Sequence, residues 1–315
     1  MKPVPAKIPT RRSFSNRLVE YGARDSDFVV LEADVGHSTY TYLFGEKYPD
    51  RYFNLGIAEM GMFSTAAGVA SGGRTVVASS YGVFITMRAL EAIRSFICYP
   101  NLNVKILSSH GGLTAAIDGA THQATEDIAN MSTLPNMKVL VPADTAAAAA
   151  AVEIAMATPG PVFTRLMRDP LFDIYDKDEK FEIGGSKTVR KGKDVTIACY
   201  GDMVFQALEA ADILAAEGID AEIIDMYSIK PYDKKAILES VDRTGALVVV
   251  ENHQKKNALG YELAHLLLTN KKTVPYVSLG IDDSFGESGD YYKLLDKYGL
   301  SAGHIVNAVK TLSSS

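Results

Sequence analysis

Cysteine is nearly missing from this chain of 315 residues: only Cys98 and Cys199 occur, each inside an apolar predicted element. They read as buried thiols of a reducing compartment, because a disulfide framework or a metal site needs more. Positive charge is also short. Lys and Arg total 32 against 38 Asp and Glu, leaving a net charge of −6. With no basic cluster interleaved with aromatics, that balance argues against nucleic-acid binding. No run of about 18 apolar residues exists, so no membrane span is predicted. The amino-terminal stretch MKPVPAKIPTRR lacks the apolar core of a signal peptide, which makes the cytoplasm the expected compartment. No GxGxxG follows a predicted strand and no GxxxxGK[ST] occurs. Nicotinamide binding by its usual fingerprint and P-loop chemistry lose support accordingly. No HxH or HxxxH helix face is present either, and no metal site is expected within this chain.

What is present describes a globular protein: 47% hydrophobic and 22% charged residues, in a length that suits two domains, each with its own core. Short β-branched runs at 28–34, 74–79, 103–109, 137–142 and 162–166 read as buried strands. Helical patterns lie between them at 57–71, 84–97, 122–132 and 144–157, the last capped by Asp144. Residues 170–193 are charged, contain glycine and lack helical period, and read as a linker with a short hairpin or edge strands. A second set follows, with strands at 194–201, 220–226, 245–251 and 274–280 and helices at 202–217, 231–241, 258–269 and 301–311. The expected fold class is α/β, with two doubly wound domains of mainly parallel or mixed sheets. Their boundaries are 7–170 and 193–315, with the linker at 171–192.

The segment RYFNLGIAEMGMF, 51–63, places Glu59 in the first turn of a helix rich in small and apolar residues, entered through Asn54-Leu55-Gly56 as cap and turn. The helix end favours a carboxylate there while burial against Ile57, Met60 and Phe63 opposes it, a balance suited to sharing a proton with a basic ring nitrogen. An acid complementing the helix dipole is the plainer account. In parallel α/β sheets ligands collect beyond the carboxyl ends of the strands. Asp34 and Ser38 follow the first strand, Tyr81 and Phe84 the second, and His110 the third. Asp118 and His122 lie in a glycine-rich loop, and Arg165 and Arg168 follow the fifth strand. Together these form a candidate site. Separately, the histidines could be satisfied by local backbone, Tyr81 and Phe84 could be core, Asp118 could form a turn, and the arginines could be solvated or could grip an anion. His37, His253, His265 and His304 are weaker candidates, with His265 read as structural in its apolar helix.

The combination of RYFNLGIAEMGMF, SYGVF, SSHGG, DGATHQ and GPVFTRLMRDP resembles the pyrimidine-binding domain of transketolases. VTIACYGDMVFQALEAADILAAEGIDAEIIDMYSIKP and SFGESGDYYKLLDKYGL resemble the carboxy-terminal domain of the same family. The GDG…N motif that holds magnesium and the cofactor diphosphate in that family is absent, and the chain has no room for the domain that carries it. The resemblance therefore implies the carboxy-terminal subunit of a split transketolase. Its partner, an amino-terminal subunit with GDG…N, would supply most of the site for Mg2+ or Ca2+ in a thiamine diphosphate enzyme. By the same resemblance, Glu59 matches the glutamate that bonds the aminopyrimidine of thiamine diphosphate, and Tyr81 and Phe84 match the aromatics that pack on it. His110, Asp118 and His122 match groups contacting sugar hydroxyls or the substrate's far end. Arg11, Ser38 and Arg168 match a phosphate grip, and Asp34 an acidic residue near the cofactor. Two departures stand out. Ile117 replaces a common glutamate, and Met87 falls near a third aromatic, where a thioether can still pack on a ring.

The implied activity is transfer of a two-carbon ketol unit between sugar phosphates, with Glu59, His110 and His122 as the reacting-centre residues. The implied assembly is a hetero-oligomer with two copies of each subunit. Two alternatives share the architecture: the β subunit of a 2-oxoacid dehydrogenase, which would not need Arg11, Ser38 and Arg168 for a sugar phosphate, and a non-catalytic scaffold.

Overall fold

Apolar runs buried on both faces become central strands of a parallel sheet. Phe28–Glu32, Thr75–Tyr81 and Val104–Ser109 do so in a computed structural model that describes residues 3–313. The first sheet has seven strands in the spatial order Ser228–Lys230, Lys138–Leu140, Val162–Arg165, Val104–Ser109, Thr75–Tyr81, Phe28–Glu32 and Tyr52–Asn54. Every pairing is parallel except that of Ser228–Lys230, which runs antiparallel to Lys138–Leu140. The second sheet has five strands in the order Tyr276–Ile281, Leu247–Gln254, Val195–Cys199, Ala221–Asp225 and Lys187–Arg190, with only the last antiparallel. Both sheets are covered by helices, giving a mixed α/β fold dominated by parallel strands.

Within 170–193 the structure holds two edge strands. Phe172–Asp173 pairs with Val4–Pro5, and Lys187–Arg190 closes the second sheet. Two apolar clusters lie mainly within the second and the first unit respectively, and a third is shared between them. The shared cluster joins Val29, Ala66, Ile93 and Val139 of the first unit to Ala198, Ile224, Val249 and Leu263 of the second. Strand Ser228–Lys230 crosses from the second unit into the first sheet, so the two layers are stitched covalently and by packing. The last two residues of the expected 193–315 unit lie outside the described residues.

Several helices differ from their sequence patterns. The 84–97 pattern breaks into Gly82–Arg88, Leu90–Ala92 and a π turn over Ile93–Cys98. The 122–132 pattern keeps only Asp127–Thr133. Asp144 caps Thr145–Ala157 as expected, accepting the Ala147 N–H at 2.8 Å. Helices Thr10–Gly22 and Tyr291–Lys297 and the edge strand Tyr52–Asn54 were not expected. Both cysteines are buried and free, and no helix among the described residues is long and apolar enough to cross a membrane.

Candidate active site

The carboxyl edge of the first sheet gathers the polar residues. Glu59 opens helix Glu59–Ser71 at the foot of this edge, two residues later than the sequence pattern suggests. Asn54 does not cap the helix; that position is Ala58, without a side-chain bond. Instead Asn54 Oδ1 accepts the Gly56 N–H at 2.8 Å, and Gly56 supplies a positive φ of 76° that the turn requires. Glu59 is 2% exposed. One of its oxygens, Oε1, accepts the Ser80 hydroxyl at 3.3 Å, and the other, Oε2, accepts Arg88 Nη1 at 3.3 Å.

An aromatic wall rises beside it. Tyr81 ends its strand and Phe84 sits one turn into the next helix, with rings 5.6 Å apart and nearly parallel. Tyr81 also stacks on His110 at 4.0 Å, while His122 meets Tyr81 edge-on at 5.7 Å and Phe84 at 5.3 Å. The neighbouring Ile85 takes the core position, leaving Tyr81 and Phe84 half-buried on the site side. Met87 is exposed on the same helix, and Asn130 Nδ2 approaches its sulfur at 3.7 Å.

His110 is buried and held at a φ of 63°, with Nδ1 2.6 Å from the Ser109 hydroxyl. Burial, then the charges of Arg11 and Arg168 and the ring of His122, pushes its imidazole down to about 2. It is neutral near pH 7, so its contact with Asp118 at 3.9 Å is not an ion pair. Such a ring offers a donor and an acceptor to hydroxyl groups, not a positive charge.

Farther out, Asp118 pairs with Arg168 Nε at 3.3 Å, and Arg168 Nη1 reaches Asp169 at 3.0 Å. Arg11 Nε donates to the Arg168 carbonyl at 2.8 Å and its Nη1 to the Ser38 carbonyl. The structure thus brings Arg11, Ser38, Asp118 and Arg168 together with His110. Asp34 is exposed in a left-handed backbone, φ 60°, and accepts Asn54 Nδ2 at 2.9 Å. Ile117 is exposed beside Asp118.

Arg165 behaves differently from Arg168. It is 3% exposed, pairs with Asp127 at 3.2 Å and donates to the Asn252 carbonyl at 2.7 Å. Burial raises the Asp127 carboxyl to about 6 despite that arginine. Arg165 therefore locks the two units together and does not grip an anion at the edge. Gly112 makes this approach possible: a Cβ there would lie 2.3 Å from Arg165 Nη2 and 2.5 Å from the Asn252 carbonyl oxygen. His253 is likewise buried at this junction, its Nε2 accepting the Ala129 N–H at 3.3 Å, whereas His265 is exposed on its helix. Sequence reasoning missed Arg88 and Ser80, which flank Glu59; Arg88 stands four residues after Phe84 at same-face helical spacing.

The donor set fits one half of a heteroaromatic cofactor. A buried carboxylate at the foot of an aromatic wall suits a planar ring with a protonatable nitrogen. Among the described residues no group of three or more His, Cys, Asp or Glu side chains is placed to hold a metal ion.

Family models match most of the chain: "Transketolase, pyrimidine binding domain" over residues 6–172 and "Transketolase, C-terminal domain" over residues 184–305. An inferred transketolase C-terminal section of Methanocaldococcus jannaschii is 40% identical, covering 95% of this chain and 94% of its own length. A 6-deoxy-6-sulfo-D-fructose transketolase subunit of a Clostridium species is 37% identical, over 95% of this chain and 92% of that one. A solved structure described as a split gene transketolase in an inactive β4 tetramer superposes with a TM-score of 0.89 at 43% identity, covering 98% of both chains.

Proposed function

The chain belongs to the transketolase family as the carboxy-terminal part of a split enzyme, and we propose that with an amino-terminal partner it transfers a two-carbon ketol unit between sugars with an anionic end, using thiamine diphosphate. The observation that carries this reading is the buried Glu59 carboxylate beside the Tyr81–Phe84–His110–His122 wall, within a pyrimidine-binding domain. When bound, the cofactor supplies the electron sink that cleavage of a carbon–carbon bond beside a carbonyl needs and that no side chain provides.

The chain's own residues then have distinct tasks. Glu59 holds a proton shared with the pyrimidine ring nitrogen, its carboxylate oriented by Ser80. Tyr81 and Phe84 pack on that ring and exclude water, with Met87 at its margin. His110, neutral at working pH, and His122 and Asp118 orient substrate hydroxyl groups. Arg11 and Arg168, with Ser38, hold the anionic end, and Asp34 lies where the partner subunit would close the site.

The anion is a phosphate or a sulfonate. Both present three acceptor oxygens, and the Clostridium relative's name specifies a sulfo sugar. The missing diphosphate and metal half would come from the partner, with Mg2+ or Ca2+ held mainly there. Two copies of each subunit give the simplest closed assembly. Two free, buried thiols suit a reducing cytoplasm.

Reconstitution tests this reading. The chain alone should be inactive, and mixing it with a partner carrying GDG…N should give magnesium- and thiamine diphosphate-dependent transfer to ribose 5-phosphate or a sulfonated aldose. Decarboxylation of pyruvate onto a lipoyl carrier instead would replace it with the 2-oxoacid dehydrogenase reading. No magnesium-dependent cofactor binding in the mixture would replace it with a scaffold.

A further inference from the structure

A carboxylate with one oxygen turned outward is buried only if something covers that oxygen. At Glu59 the inner oxygen faces Ser80, and the outer one is covered by Arg88 Nη1 at 3.3 Å. The Arg88 side chain is itself 54% exposed. Its guanidinium carbon lies 4.2 Å from the centroid of the Phe84 ring. A single planar group rich in N–H donors therefore touches both features that the thiamine diphosphate reading gives to the aminopyrimidine, the carboxylate and the aromatic face. Phe84 and Arg88 stand at i and i+4 on helix Gly82–Arg88, so this reach needs no distortion. Glu59 is the only acid paired with Arg88 among the described residues.

Resting on that reading, we propose that Arg88 is the gate of the cofactor site: its guanidinium holds the place of the aminopyrimidine and swings into solvent as the ring seats. The physical reason is competition for one surface. A ring nitrogen bonding the outward oxygen of Glu59 must displace the arginine from it, and a ring packed on Phe84 needs the face that the guanidinium covers. Swinging out is easy for the arginine, since its exposed side chain regains water. It is costly for Glu59, whose buried charge stays uncompensated until the ring arrives. Opening and seating are thus one event, and the closed fraction lowers the apparent affinity for the cofactor.

Isothermal titration of thiamine diphosphate with magnesium into the reconstituted complex tests the gate, with wild type compared to Arg88→Ala and Arg88→Lys. Removing the gate should tighten binding about three- to tenfold. Lysine should fall between, since an ammonium can pair with Glu59 but cannot cover an aromatic face as a plane. Thermal melts of the chain alone report whether each variant folds; where Arg88→Ala does not, the comparison of Arg88→Lys with wild type decides. Binding by wild type and variants with the same Kd, or weaker binding by the variants, overturns the gate and leaves the cofactor reading standing. Absence of binding in all three overturns the cofactor reading and the gate with it.

Discussion

The two parallel sheets end in opposite ways at their carboxyl edges. On the first, polar groups have partners that are few, long or solvent-facing: Glu59 has bonds of 3.3 Å to Ser80 and Arg88, and His110 lies 3.9 Å from Asp118. The backbone there is strained too, with positive φ at Asp34, Tyr40, His110 and Ala116. Each such residue costs on the order of 1–3 kcal/mol unless the surroundings enforce it. On the second, the groups at the ends of the central strands are closed off inside the protein. Glu251 accepts N–H groups of Leu259 and Gly260 at 2.9 and 2.8 Å and the Tyr200 hydroxyl at 3.1 Å. Asn252 accepts the Leu113 N–H at 2.9 Å and donates to Asp202 at 2.6 Å. An edge of this fold becomes a ligand site where the partners of its polar groups are exposed enough to give way to a ligand. Here the second edge is instead filled by the first unit, through Arg165, Leu113 and the glycines at 111 and 112.

Making the same change on both edges is the sharpest way to break this comparison. Glu59→Gln should lower turnover of the reconstituted enzyme by about 10²–10⁴-fold while leaving urea unfolding of the chain nearly unchanged. Wild-type turnover at saturating cofactor would remove Glu59 from the reaction. Next in size is Arg165→Leu, which strands Asp127 and should cost about 3–5 kcal/mol in denaturant unfolding. An unchanged midpoint would show that Arg165 does not hold the junction. Glu251→Gln presents an amide N–H₂ to backbone donors that need an acceptor, and should cost about 1–3 kcal/mol with turnover of the folded enzyme kept. Loss of turnover without loss of stability would mean that the second edge also serves the reaction.

The smallest expected effect is pH dependence. Burial raises the Asp225 carboxyl, bonded by the Tyr175 hydroxyl at 2.6 Å, to about 8, and Glu251 to about 7. The native state therefore holds protons that the unfolded chain has already lost. The stability these acids contribute is complete below about pH 4 and is lost as pH rises through 7 to 8. His110, pushed down to about 2, works the other way: its contribution is present above 6.5 and is lost as pH falls. Between pH 6.5 and 8 the two acids lose their native-state protons while Lys105, pushed down to about 7 by burial, works against them, so stability should fall by on the order of 1 kcal/mol. Asp225→Asn should flatten that slope in a series of thermal melts, and a slope unchanged by it would place the titration elsewhere.

Much of the frame was legible in the residues. Strands such as 28–34 and 103–109 are apolar on both faces, a pattern that only a covered parallel sheet satisfies. Asp144 announces its helix by chemistry local to one turn. Helix Thr10–Gly22 gives no such signal, for its N-cap is Pro9 without a side-chain bond and two arginines open it. Edge strand Tyr52–Asn54 is short and partly exposed, so no period forms. Within the candidate site, the order Asp34, Glu59, Tyr81, His110, Asp118 and Arg168 follows from strand ends. Arg165 and Arg168, three residues apart, cannot be told apart that way. One is drawn inward because two glycines let the second unit approach, and the other stays at the rim.

The sequence by itself determined the alternation of strands and helices, the strand ends on which reactive side chains gather, and the family, because these depend on local pattern and spacing. Tertiary structure alone decided which of those side chains remain available. Strand Ser228–Lys230 joins the first sheet and a shared core binds the two units, so much of one edge is buried against its neighbour while charges on the other, such as Arg88 and Asp118, stay within reach of solvent. That division arises from contacts between residues more than a hundred positions apart, such as the Leu113 N–H on the Asn252 side chain and Gln123 on the Glu287 carbonyl, and no local signal encodes them.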